Sequence, residues 1–273
     1  MNGVPMRILR EMTKVYIFKN VARGAAALSY YLTLTVFPFL VCASAIIGSL
    51  QLYESNTFML LEDIIPTESF SAIRDFLRYI VGNRSNVLLI VGIVAMVTSS
   101  SAAFRSFTGI MSEIQGKSRY TGLWRAIISF IFSVVFLAAI YISALVILSG
   151  GWMMQTLETY FGYGELIALW TRVRFVILFL LLFGIIFGIY FISAPKEIKR
   201  RHGLPGALAA SVVLVVASII FSRLISVSLR YAILYGSLAS FVILMVWFYI
   251  CSIILIMGNV FNMMLYRTRN NLL

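Results

Sequence analysis

Histidine occurs once in this chain, at His202, and cysteine twice, at Cys42 and Cys251. A single imidazole cannot assemble a metal site. Both thiols fall inside apolar runs, where a free cysteine packs as a small hydrophobe, so neither a disulfide nor a metal pair is expected. Asp and Glu together number 10 in 273 residues. The only acidic cluster, Glu62, Asp63, Glu68 and Asp75, is interleaved with Arg74, Arg78 and Arg84. Metal-assisted RNA cleavage needs clustered carboxylates, and metal-free cleavage a histidine pair. The composition therefore argues against a ribonuclease, or any other enzyme, and no cofactor is expected. No Walker-type glycine loop is present, which argues against ATP-driven pumping by this chain alone. Charged residues make up only 12% of the chain and hydrophobic residues 61%, whereas a soluble domain carries roughly 25% charge.

What the chain does have is long apolar runs. The one from Ala22 to Leu52 carries no charge from Gly24 onward, and about 20 apolar residues suffice to cross a bilayer as a helix. Ser29, Tyr30, Tyr31, Thr33 and Thr35 lie in its first half and Pro38 near its middle. Proline removes a backbone donor and frees a carbonyl one turn earlier, and in lipid such groups need partners within the protein. The run is expected to form a helix buried among others, bent near Pro38, with its polar face inward.

Residues 1–23 read as a basic amphipathic lead-in. Ile8, Leu9, Met12, Val15 and Tyr16 recur at helical spacing with Arg7, Arg10 and Lys14 between them, the pattern of a helix on a membrane surface. Residues 24–266 read as one transmembrane domain with spans at about 25–52, 87–104, 126–148, 173–194, 204–227 and 237–265, and 267–273 as a short tail. The fold class is therefore all-α: a polytopic membrane protein with six transmembrane helices and amphipathic interfacial helices. Between the first two spans, Pro66-Thr67-Glu68 opens a helix with Phe70, Ile73, Leu77, Ile80 and Val81 on one face, closed by Gly82-Asn83. Helical spacing continues past the second span through Phe107, Ile110, Met111 and Ile114 to Gly116. Gly150-Gly151 is expected to end the third span, and 152–171 to form a mixed segment with interfacial aromatics such as Trp152 and Trp170. Gly184 and Gly188, four apart in the fourth span, offer a close helix contact. Pro205 suits the first turn of the fifth span. The first apolar run is too long for a signal-peptide core and lacks a small-x-small exit site, so no cleavable leader is expected.

Placing both termini in the cytosol puts 15 of the 22 Lys and Arg residues in inner segments, as the positive-inside rule requires. No internal repeat supports an inverted-repeat transporter.

Ala25-Ala26-Ala27-Leu28-Ser29-Tyr30-Tyr31, followed by Phe37-Pro38, resembles the first-span signature of the YihY/BrkB family, bacterial inner-membrane proteins once misnamed ribonuclease BN. Three further stretches are similar: Ser99 to Met111, Leu204-Pro205-Gly206-Ala207, and the set of Tyr235 to Ala239, Trp247-Phe248-Tyr249 and Gly258 to Asn262. The resemblance covers nearly the whole chain. It implies a six-helix protein of the bacterial inner membrane, with export or lipid-related transport among the family's suggested roles, and it implies little chemistry. This chain has Asn259 where the family often carries an acid after the glycine of the last span. Any proton- or cation-coupling role of that acid does not carry over.

A transport pathway needs polar groups at bilayer depth, where they are costly unless paired or lining a cavity. The candidates are Ser29, Tyr30, Tyr31 and Pro38 in the first span, Thr98, Ser99, Ser100 and Ser101 in the second, and Asn259 and Asn262 in the last. The competing structural account is that the hydroxyls bond their own helix backbone and the asparagines tie neighbouring helices together. Arg105 and Arg223, near span ends, are candidates to contact anionic head groups, against plain snorkelling to the interface. No Asp, Glu or Lys lies within the spans, which argues against a proton relay. The reading is a transporter or flippase-like protein for an amphiphilic or anionic envelope molecule, with membrane lipids rather than nucleic acid as its surroundings. The alternative is a non-transporting scaffold or envelope-assembly factor working through the basic cytosolic segments. Small-residue faces permit a homo-oligomer without requiring one.

Overall fold

The computed structural model describes residues 4–49, 86–117, 120, 122–161, 164–195, 203–235 and 237–270. The expected surface helix near 67–82 and the basic loop 196–202 lie outside them. Seven helices are described: α1 (Val4–Phe18), α2 (Val21–Ser49), α3 (Asn86–Gln115), α4 (Gly122–Phe161), α5 (Gly164–Ser193), α6 (Leu204–Tyr235) and α7 (Ser237–Arg269). No strand occurs among the described residues. Helices α2 to α7 each contain a segment long and apolar enough to cross a membrane. The lowest mean hydropathy of the six, 1.4, belongs to Ile90–Gln115 and the highest, 3.0, to Val173–Ser193. The protein is a multi-pass membrane protein, and its exposed Val, Ile, Leu and Phe side chains, such as Ile90, Phe175 and Ile219, are the ones that lipid would cover.

Helix ends follow local chemistry in some places and not in others. α3 runs on past its apolar span and stops at Gln115, with Gly116 next in a left-handed conformation, φ 71°. A residue without Cβ takes that conformation at little cost and closes a helix. Pro205 sits in the first turn of α6 as expected. Asn20, φ 50°, separates α1 from α2. Pro38 lies inside α2, which continues through it to Ser49. Gly150-Gly151 does not end the third span: α4 continues to Phe161, and α5 already begins at Gly164. Glycine permits a helix to stop without compelling it, and here the helix runs on through both.

Two compact units divide the chain. The first comprises residues 1–33, 99–133 and 182–273. Its core is built from Val21, Ala25 and Leu28 of α2, Phe107, Ile110 and Met111 of α3, Ile186 and Tyr190 of α5, Ala207 and Ala210 of α6, and Ile256, Val260 and Met264 of α7. α1 docks on α7 and sends Ile8 into this core, with Met12, Val15 and Tyr16 packed beside it. Leu9, expected on the same face, is instead 62% exposed. The face read as membrane-facing is therefore occupied by protein, and a second stripe of Met6, Leu9, Ile17 and Phe18 is exposed. On the exposed side of α1, Lys14 donates to Glu11 Oε1 at 2.6 Å, and that bond holds the Glu11 carboxyl below its ordinary range.

α6 and α7 pack backbone to backbone. A Cβ built on Gly206 would overlap the carbonyl oxygen of Gly258, and one built on Gly258 would overlap the Tyr190 hydroxyl. Gly184 has nothing within 4 Å of such a position, while Gly188 faces only the Phe132 ring at 3.2 Å. Of the expected pair Gly188 thus meets a neighbouring helix, through the Phe132 ring, and Gly184 does not, while the backbone-to-backbone approach is made by Gly206 and Gly258.

The second unit comprises residues 34–98 and 134–181. Its described core is Cys42, Met96 and Leu137, with Phe39 and Tyr141 packed against it, their ring centroids 5.2 Å apart. Gly92 lies against Val41 and Cys42.

Candidate functional site

The hydroxyls of the first span largely serve their own helix. Ser29, buried, donates to the Ala26 carbonyl at 2.9 Å, and Thr33 to the Ser29 carbonyl at 2.8 Å. Thr98 donates to the carbonyls of Val94 and Ala95. Such bonds satisfy a hydroxyl in an apolar setting without a cavity. Ser100 and Ser101 are buried, and Ser99 is half-buried. Pro38 is half-buried within α2.

The two asparagines of α7 differ. Asn262 is spent on the fold: its Oδ1 accepts from the Gly206 N–H at 2.7 Å, and its Nδ2 donates to the Gly203 carbonyl at 3.0 Å. The Gly206 N–H is among those at the start of α6 that have no partner within the helix. Asn262 supplies one from a different helix, and Tyr190 adds a second such tie, donating to the Leu255 carbonyl at 2.7 Å. Asn259 is as deeply buried, at 4% exposed, yet its Nδ2 has no partner among the described residues. A buried amide left unpaired costs about 1–3 kcal/mol, so Asn259 carries an unsatisfied donor within a helix apolar enough to cross a membrane.

Within the first unit, Ala27 and Tyr31 of α2, Ala102, Arg105 and Ser106 of α3, and Gly122, Arg125 and Ala126 of α4 line an open groove of about 450 Å³. Tyr30, also expected here, is 52% exposed and meets Tyr31 edge to face, centroids 5.4 Å apart. Arg105 Nη1 donates to Ser101 Oγ at 2.8 Å. Arg125 reaches back across the turn between α3 and α4: its Nη2 donates to the Arg105 carbonyl at 2.7 Å and its Nε to Thr108 Oγ1 at 3.3 Å. A Cβ on Gly109 would stand 2.9 Å from that Nη2, so a side chain there would make the guanidinium shift. Arg125 also borders a smaller cavity of about 20 Å³, with Thr108, Ser112, Lys117, Tyr120 and Ser193, room for about one water. Among the described residues the ion pair found is Lys14–Glu11, and neither groove arginine has a carboxylate partner. Arg223 is exposed on α6 and does not line the groove.

The structure thus brings together Tyr31, Ser101 and Arg105 of the expected residues. It adds Arg125, Ser106 and Gly109, which sequence reasoning missed. The available signal was the helix stop at Gly116, which folds α4 back beside α3 and sets Arg125 near Arg105. No described group of three or more His, Cys, Asp or Glu side chains is placed to hold a metal ion.

Comparison with known proteins agrees with this architecture. The sequence pattern of the family described as virulence factor BrkB matches residues 12–272. Over 266 residues, 97% of each chain, the sequence is 24% identical to the ribonuclease-like protein YfkH of Bacillus subtilis (strain 168). Over 69 residues, 25% of this chain and 22% of the other, it is 38% identical to the UPF0761 membrane protein VSAL_I2938 of Aliivibrio salmonicida (strain LFI1238). No solved structure matches the chain at a significant level.

Proposed function

Since the chain belongs to the BrkB family of membrane proteins, we propose that it acts in the bacterial inner membrane as a transporter or flippase-like protein for an amphiphilic or anionic envelope molecule. The observation that carries this reading is the groove of about 450 Å³ between α2, α3 and α4, with two arginines in its wall. A solvent-open recess bearing fixed positive charge at the end of apolar spans suits a ligand with an anionic head and an apolar body. The orphan amide of Asn259 and the Ser99, Ser100 and Ser101 run belong to the same reading as polar groups along a path. Tyr31 lines the groove, while Ser29 and Asn262 are spent on bonds within the fold. Both termini are read as cytosolic from the distribution of Lys and Arg.

The test is reconstitution into liposomes with a fluorescent anionic amphiphile and a count of label crossing the bilayer. Wild type speeds crossing, and both Asn259→Leu and alanine at Ser99, Ser100 and Ser101 slow it at equal incorporation. Unchanged crossing in both variants sinks the polar path.

A scaffold role has one observation in its favour: the exposed Met6, Leu9, Ile17 and Phe18 on α1 beside Arg7 and Arg10. That surface suits docking to acidic lipid or to a partner. Under this reading, reversing the charge of Lys199, Arg200 and Arg201 abolishes function while changes in the spans are tolerated. The name of the Bacillus relative points to RNA. That printed name belongs to the Bacillus protein and is not carried over to this chain.

A further inference from the structure

We propose that the groove is a binding site for a phosphate-bearing amphiphile, whose phosphoryl group is held between Arg105 and Arg125. This deepens the transport reading and rests on it for the site's purpose, though the binding itself can stand alone.

Two guanidinium groups wall one groove, and no described carboxylate pairs with either. Like charges gathered without a counter-charge repel, and the arrangement is favourable when an anion shares it. The bonds already made fix the forks without exhausting them. Arg125 commits Nε and one Nη2 hydrogen to Thr108 and to the Arg105 carbonyl. Its Nη1 hydrogens take part in no described bond. Arg105 commits Nη1 to Ser101 and leaves Nε and Nη2 for a ligand. Two forks offer more N–H groups than the two terminal oxygens of a carboxylate or of a phosphodiester match, whereas a phosphomonoester presents three. A phosphomonoester is therefore the better-matched anion.

The rest of the wall says what the phosphate is attached to. Ala27, Ala102 and Ala126 give it a smooth apolar lining, and Tyr31 a ring with a polar tip. Beside Arg125 on α4, Leu123 is 76% and Trp124 68% exposed. An exposed tryptophan at the start of a membrane span marks the head-group level of a bilayer. The groove then opens at the depth where a lipid phosphate lies, with apolar protein surface beside it for the chains.

The test uses the full-length protein in mild detergent and isothermal calorimetry with three probes: dihexanoyl phosphatidic acid, dihexanoylglycerol and inorganic phosphate. Phosphatidic acid binds and dihexanoylglycerol does not. Arg105→Gln, whose side chain makes one described bond, weakens binding at least about tenfold. Gly109→Ala, which presses a methyl against the Arg125 guanidinium, weakens it several-fold. Elution at the wild-type volume on gel filtration confirms that both variants fold, and Arg269→Gln, exposed and outside the groove lining, leaves affinity unchanged. Equal affinity in wild type and Arg105→Gln overturns the site. Inorganic phosphate binding as tightly as phosphatidic acid overturns the amphiphile and leaves a free-anion site. In liposomes the two ideas separate. Lipid crossing by wild type with phosphatidic acid affinity insensitive to Arg105→Gln keeps transport and rejects this site. Arginine-dependent binding without any crossing keeps the site and rejects transport.

Discussion

At the residue scale, the same side-chain type does opposite work in two places. Asn262 ties the start of α6 to α7 through two bonds, while Asn259, three positions earlier, is buried with its Nδ2 unpaired. Asn262→Ala is expected to lower stability by about 1–3 kcal/mol, because the Gly206 N–H and Gly203 carbonyl lose a buried partner. Denaturant titration in micelles checks this. Asn259→Leu removes an unsatisfied buried donor and is expected to leave that midpoint unchanged or raise it. Thr98→Val should change it by less than about 0.5 kcal/mol, since Thr98 is exposed and bonds only its own helix. The sequence made every polar residue in the spans visible but could not say which were committed, because the partners of Asn262 lie 56 and 59 positions away. Arg125 was legible only as one more positive charge at a span end. Its role depends on Gly109 leaving room and on the turn after Gly116. The Glu11 carboxyl, held low by its bond to Lys14, contributes at pH values above its ordinary range. That contribution is lost only as pH falls through the lowered value. Proteolysis of α1 should accordingly proceed at the same rate from pH 6 to pH 8.

At the element scale, the glycines of α6 and α7 set the packing. Gly206→Ala is expected to cost about 1–3 kcal/mol or more, since the methyl meets a backbone oxygen that cannot rotate away. Gly184→Ala, with open space around it, should be neutral or stabilising by up to about 1 kcal/mol. Thermal aggregation of matched preparations distinguishes the two. All six spans were legible because length and hydropathy are local properties. The stop of α3 at Gln115 was legible because Gly116 supplies a left-handed residue where the apolar spacing ends. The continuation of α4 through Gly150-Gly151 was not. Glycine permits a helix to stop at low cost but does not compel it, so the pair alone does not decide the outcome. The G-x-x-x-G spacing was informative at Gly188, which takes the Phe132 ring, and not at Gly184: it marks where a close approach is permitted, not which group arrives.

At the scale of the whole molecule, the charge asymmetry makes the orientation testable. With both termini cytosolic, a fluorescent protein fused after Leu273 should glow and an alkaline phosphatase fused there should stay inactive. The reverse pattern would overturn the cytosolic placement of both termini. α1, docked on α7 through Ile8, joins the two ends of the chain in one core. Ile8→Asp should therefore loosen the C-terminal helix as well as its own, read as faster amide exchange in both.

The seam at Gly206 and Gly258 has a mechanical consequence. Most helix pairs meet through side chains, which act as springs and ratchet teeth: they yield, swap rotamers and let one rod slip a notch along the other. Where main chain rests on main chain there are no teeth and almost no spring. The two rods behave as a single welded beam near that point, and any working stroke must bend the molecule elsewhere.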